Sequence, residues 1–229
     1  MGREDEIRRI EQLEADNKRL RRLLEVRDAP AELRHRLRST TALLRSIIRR
    51  SSETKRDLED YVAHLEDRLD AVMRAQETAD VEGNVDLRRV LEQELFHYGE
   101  ASDARVHVSG PRIFFRPRAG QTFALAIHEL AVNSVEHGVL GEAGGRLDVV
   151  WSIVEDESGQ RLVFAWNEHD GARPAEPGPA GFGTEFLTQA LAYELKAETR
   201  LDFEPDGLRC TIAFPLTQRI AEVGPVRVS

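Results

Sequence analysis

Leu147, Val149, Trp151 and Ile153 recur at every second position along one run, and Leu162, Phe164 and Trp166 repeat that spacing in the next. Period two puts each set on one face of a strand, and such a face has to be covered by another layer. Further short runs at 105–108, 112–116, 199–203 and 208–214 are set off by the turn signals Ser109-Gly110-Pro111, Glu157-Ser158-Gly159 and Asp206-Gly207. Helical spacing governs 85–96 and the stretch from Phe123 to Gly138, and a third apolar-periodic segment opens after Gly181. Strands on one side and three helices on the other predict a two-layer α/β sandwich over 81–217.

Ahead of it the pattern is purely helical. Ile10, Asn17 and Leu24 fall seven apart, with Leu13 and Leu20 in the complementary position. This predicts a coiled-coil stalk over 1–28, about 42 Å long at about 1.5 Å per residue. Asn17 in the seam favours a parallel two-stranded register, hence a homodimer. Asp28-Ala29-Pro30 re-initiates the helix, since proline is tolerated in a first turn and Asp28 can cap it. A second helix then runs to about Arg50 with the stripe Leu33, Leu37, Leu44, Ile47 and Ile48. After Ser51-Ser52 a third is predicted from about Glu53 to Glu77, with Leu58, Val62, Leu65, Leu69, Val72 and Met73 facing inward. This hairpin, 29–80, pairs with a second copy into a four-helix bundle around a dimer axis. The fold class is therefore α+β, and 218–229 is predicted to be a loose tail.

Of the 229 residues 41 percent are hydrophobic, enough for a core. A single cysteine, Cys210, excludes an internal disulfide and points to a reducing interior. No run of about 18 apolar residues is present and the N-terminus is charged, so the expectation is a cytoplasmic protein without membrane insertion. The net charge of −9 argues against nucleic-acid binding. It is unevenly spread: residues 1–50 hold 14 Lys and Arg against 9 Asp and Glu, leaving that section net +5 and the remainder net −14.

Within Phe123–Gly138, Glu129 and Asn133 stand four apart on a helix whose other residues, Phe123, Leu125, Ile127, Leu130 and Val135 among them, are apolar. That spacing stacks the carboxylate over the carboxamide on one face. Polar oxygens inside a buried segment need partners, and a hydrated Mg2+ carrying nucleotide phosphates is one; plain solvent exposure is the alternative. Downstream come Trp166-Asn167-Glu168-His169-Asp170-Gly171 and then Gly181-Phe182-Gly183-Thr184. Glycines just before a helix N-terminus leave the backbone unobstructed where free N–H groups favour phosphate.

In this order the three stretches resemble the ATP-binding domain of the HWE class of bacterial sensor histidine kinases. His128-Glu129-Leu130-Ala131-Val132-Asn133 is similar to that family's N box, Trp166-Asn167-Glu168 to its Trp-x-Glu signature and Gly181-Phe182-Gly183 to its glycine box. Upstream, Glu32-Leu33-Arg34-His35-Arg36-Leu37-Arg38 resembles its phosphoacceptor box. The likeness extends from about residue 29 to 217 and implies a GHKL-type ATPase fold. It implies ATP and Mg2+ as cofactors, with Asn133 ligating the metal and Glu129 supporting its water shell or the transfer. Glu168 would receive the adenine amino group, with Asp170 beside Gly171 as a rival contact. Gly181 and Gly183 would let a lid fold onto the phosphates, and Thr184 would donate a hydroxyl. His128 and Trp166 belong to the same set, with orientation of a neighbouring loop and core packing as their alternative roles.

His35 lies about 200° round the helix from Leu33 and Leu37, so its imidazole is predicted to be accessible, with Glu32 and Ser39 beside it. A carboxylate there holds one imidazole proton while the other nitrogen attacks phosphorus. The resemblance thus implies a histidine autokinase that passes the phosphoryl group to a response-regulator receiver domain. A catalytically degenerate phosphotransfer scaffold is the second reading, and a GHKL ATPase or kinase acting on a protein hydroxyl is the third. Departures from the family pattern are Glu136 where lysine is usual, His137 where an aromatic is common, Asp170-Gly171-Ala172 after the Trp-x-Glu pair, and Ser39 in the acceptor box.

Overall fold

A computed structural model of the chain describes residues 31–51, 58–79, 83–98, 105–141, 144–156, 159–169 and 181–224, with 31–39 and 50 described by their backbone alone. The coiled coil expected over 1–28 lies outside the described residues. The chain divides into two units, 1–42 and 43–229. Of the first, 31–42 are described and helical.

Two helices come first, α1 (Ala31–Ser51) and α2 (Leu58–Glu77). Of the stripe expected on α2, Val72 is buried and Leu65 and Leu69 pack against the core within the single chain. Leu58, Val62 and Met73 are exposed, at 74, 41 and 56 percent, whereas Arg68, Ala71, Val72 and Ala75 are buried. The covered side is the one turned to the long helix α4 (Pro117–His137), and the small residues Ala71 and Ala75 lie in that contact side.

After α2 come β1 (Val85–Asp86) and α3 (Leu87–His97), whose N-cap Asp86 accepts from the Arg88 N–H at 3.0 Å. Next are β2 (Val106–Ser109), β3 (Ile113–Phe115) and then α4, with Pro117 in its first turn. The long hairpin β4 (Arg146–Asp156) and β5 (Gly159–His169) precedes a helical stretch made of α5 (Phe182–Glu185), a π turn over Phe186–Ala190 and α6 (Leu191–Leu195). The strands β6 (Glu198–Glu204), β7 (Gly207–Pro215) and β8 (Ala221–Val223) close the sequence of elements.

The main sheet is mixed, in the order β2-β4-β5-β7-β6, with β2 parallel to β4 and the other pairs antiparallel. Its buried face carries Leu147, Val149 and Trp151 from β4, Leu162, Phe164 and Trp166 from β5, and Cys210, Ile212 and Phe214 from β7. Helix α4 covers that face: the Phe123 ring meets Phe164 edge-on at 5.2 Å and Phe214 at 5.6 Å. With the sheet on one side and α2 and α3 on another, α4 is buried almost without interruption from Ala119 to Ala131. Burial pushes the Cys210 thiol up to about 12.

A second, three-stranded sheet, β1-β3-β8, is absent from the sequence expectation. The stretch after Thr217 is not entirely loose, because Ala221–Val223 pair with β3 and Ala221 is buried. Strands of two and three residues are too short to display an alternation.

Candidate functional site

The arrangement centres on α4. Glu129 is 3 percent exposed and Asn133 half-buried. The glycine-rich turn rests on them: a Cβ at Gly183 would lie 2.9 Å from Glu129 Oε2 and 3.4 Å from Asn133 Nδ2. Only glycine permits that approach without displacing the carboxylate. Gly181 is different, for a Cβ there would meet open space. Thr184 follows within α5, half-buried.

Trp166 and Glu168 stand two apart on β5 and therefore share its buried face. The Trp166 indole N–H donates to Glu168 Oε1 at 3.2 Å, and the Leu208 N–H donates to Oε2 at 3.5 Å. This explains why the tryptophan and the acid come as a pair: the indole is fully buried and holds a carboxylate that is itself only 2 percent exposed. Gly138, at the C-terminal end of α4, lies against that carboxylate, since a Cβ there would sit 2.5 Å from Glu168 Oε2 and 2.9 Å from Oε1. Gly138 has an extended backbone, φ −130° and ψ −157°, which alanine tolerates, so Gly138→Ala tests the carboxylate's position rather than the turn. If Glu168 receives an adenine amino group, as the resemblance implies, this change should weaken adenine-nucleotide binding about tenfold, corresponding to about 1.4 kcal/mol, with little change in melting temperature, read by titration calorimetry.

His128 faces α3 instead. Its ring is 2 percent exposed, with Nδ1 3.3 Å from Glu94 Oε2 and 3.4 Å from the Tyr98 hydroxyl. An Nδ1 carrying hydrogen donates to Glu94, whereas a bare Nδ1 accepts from the phenol, so the two contacts alternate with the tautomer. Burial, and then the charge of Glu94, pushes the Tyr98 phenol well above its ordinary range, which keeps it a donor. Glu94, 1 percent exposed, also accepts a two-pronged pair from Arg74: Nε to Oε1 at 2.9 Å and Nη2 to Oε2 at 3.0 Å.

A residue absent from the sequence expectation sits at the centre. Arg68 of α2, 6 percent exposed, donates from Nε to Glu129 Oε1 at 2.6 Å and from Nη2 to Oε2 at 3.2 Å. Its Nη1 donates to Ser51 Oγ at 3.2 Å, and the guanidinium carbon lies 3.7 Å from the centre of the Phe182 ring. A sequence signal existed: Arg68 occupies an apolar slot in the stripe Leu65, Arg68, Val72, Ala75, as Glu94 does among Val90, Leu91 and Leu95. Glu136, two turns beyond Glu129, lies 3.9 Å from His64 of α2.

Glu129, Asn133 and Gly183 are thus brought together, Trp166, Glu168 and Gly138 form a second group, and α4 joins the two. Asp170 and Gly171 lie outside the described residues. His35 and Glu32 fall in α1, where only the backbone is described. Among the described residues no cluster of three His, Cys, Asp or Glu side chains forms a ready metal site. A carboxylate and a carboxamide one turn apart suit a magnesium ion that takes its remaining oxygens from phosphate and water.

The profile of the HWE histidine kinase family matches residues 32–112. This part of the chain is similar to the HWE histidine kinase family. Over 191 residues, 82 percent of the chain, the protein is 28 percent identical to the blue-light-activated histidine kinase of Brucella ovis. The aligned part is 39 percent of that relative, so the chain spans about two fifths of the length of the curated relatives it matches. Among solved structures, the blue-light activated histidine kinase EL346 of Erythrobacter litoralis aligns with a TM-score of 0.62 and 16 percent identity, over 83 percent of this chain and 62 percent of that one. Its isolated histidine kinase domain aligns with a TM-score of 0.51 and 17 percent identity, over 80 and 95 percent. These likenesses establish the fold as that of histidine kinase catalytic domains, an α+β arrangement of helices and mixed sheet. The HWE match ends before the N box, the Trp-x-Glu pair and the glycine box, whose geometry is given by the contacts above. Within the described residues, no helix is long and apolar enough to cross a membrane.

Proposed function

We propose that the chain is an ATP-dependent histidine autokinase of a two-component system, which phosphorylates His35 and relays the group to an aspartate of a response-regulator receiver domain. The observation that carries this reading is the placing of two polar sites along one helix. Glu129 and Asn133 meet the glycine box, and further on Gly138 leaves room for a carboxylate fixed by Trp166. Residues 129 and 138 are separated by about 14 Å of helix at about 1.5 Å per residue, a span that suits an extended nucleoside triphosphate.

In this mechanism Glu168 accepts from the adenine amino group, Asn133 ligates Mg2+ through its side-chain oxygen, and Glu129 orders the metal's water. Bound Mg2+ neutralises phosphate charge, which is most of what phosphoryl transfer asks of its surroundings. Gly181, Gly183 and Thr184 line the phosphate end, and Asp170 with Gly171 borders the base. Glu32 holds one imidazole proton of His35 while the other nitrogen forms a bond to the γ-phosphorus and the bond to the ADP oxygen breaks. His128 acts by orienting α4 through Glu94. The working form is a homodimer in the cytoplasm, with the 1–28 coiled coil and paired 29–80 hairpins around its axis and 81–217 as the catalytic domain.

The test is incubation of the purified protein with γ-labelled ATP and Mg2+. Label on the protein that is lost in acid and kept in base is the expected result. Nucleotide binding without such label would instead favour the scaffold reading, to which Glu136, standing in place of the usual lysine, lends weight.

A further inference from the structure

Arg68 belongs to none of the three motifs, yet it holds the carboxylate that the nucleotide reading needs. Both Glu129 oxygens accept from its guanidinium, and the same group bonds Ser51 and lies against Phe182 between the two box glycines. A planar fork matched to a carboxylate in a buried setting is the strongest form of such a pair. A divalent ion drawing on Glu129 would therefore have to share that acid with a fixed positive charge a few ångströms away, and two cations there repel.

We infer that Arg68 is a built-in competitor for the metal-nucleotide at Glu129: α2 keeps the site latched until its guanidinium swings off. This rests on the proposed nucleotide site. Because Phe182 stacks on the guanidinium and Gly183 rests on Glu129, release of Arg68 frees the metal-binding acid and the start of the glycine-rich helix in one movement. Only the fraction of molecules with the latch open binds, so affinity is reduced by that fraction.

The experiment measures the affinity of the full chain for a Mg2+-loaded, non-hydrolysable ATP analogue by calorimetry, alongside melting temperature. Arg68→Met, similar in length but without charge, should tighten binding by roughly fivefold or more. Arg68→Lys keeps a charge beside Glu129 without the fork and should gain less, and Ser51→Ala, which removes one bond to the guanidinium, should gain about twofold. Unchanged or weaker binding in folded Arg68→Met overturns the latch, weaker binding making Arg68 a phosphate ligand instead. If Arg68→Met does not fold, Arg68→Lys and Ser51→Ala decide alone, and no gain in either overturns it. Asn133→Ala in the same assay separates the two ideas: if it leaves affinity intact, the nucleotide site itself is misplaced.

Discussion

His35→Ala should abolish the acid-labile label while leaving nucleotide affinity unchanged, and Asn133→Ala should abolish the label by removing affinity. The two losses have different origins. His35 supplies the attacking nitrogen, for which alanine offers no substitute, whereas Asn133 supplies an oxygen to the ion that gathers the phosphates. Loss of that oxygen should weaken binding of the magnesium nucleotide on the order of 10²-fold, about 2.8 kcal/mol. Asn133→Ala is half-buried at the face of α4 next to Gly183, so the fold should survive and melting should shift little. Label persisting in His35→Ala would remove His35 as the acceptor. Label persisting in Asn133→Ala would move the metal elsewhere.

Glu94→Ala is the substitution expected to damage the fold most. Glu94 is buried where α3 meets α2 and α4, and it accepts from Arg74 while contacting His128. Its removal leaves a largely buried guanidinium and a buried imidazole without their common acceptor, and breaking one side of such a pair costs roughly 3–5 kcal/mol. Denaturant unfolding should show that loss, with Glu94→Gln falling between the two because its amide oxygen still accepts from Arg74. A loss below about 1 kcal/mol would show the Glu94 contacts to be no more strongly coupled than an exposed pair.

The central strands β4, β5 and β7 were legible because each buries one face: a two-residue period survives in the sequence wherever a single face is covered. The Trp-x-Glu pair was legible as a motif, and the structure adds the reason, an indole holding its neighbour's carboxylate. What the sequence hid depends on partners distant along the chain. On α2 the side that α4 covers carries Arg68 and two alanines beside Val72 of the expected stripe, whereas Leu58, Val62 and Met73 are exposed in the single chain. Arg68 and Glu94 look like interruptions in apolar stripes until Glu129, Arg74 and His128 are brought to them by tertiary packing. Nothing local to β1 or β8 marks them as strands, since each owes its conformation to β3.

That small three-stranded sheet has a mechanical consequence. β1 is the first strand after α2, β8 comes near the end of the described chain, and β3 is bonded to both, while Arg116 reaches Asn84 on one side and Glu222 on the other. A load applied at β8 would pass through this seam to β1 and to α3 and α4, which both pack against β1 and β3. β8 thus acts as a clasp that reaches β1 through β3, and a pull or a docking event there would be felt where the chain leaves α2.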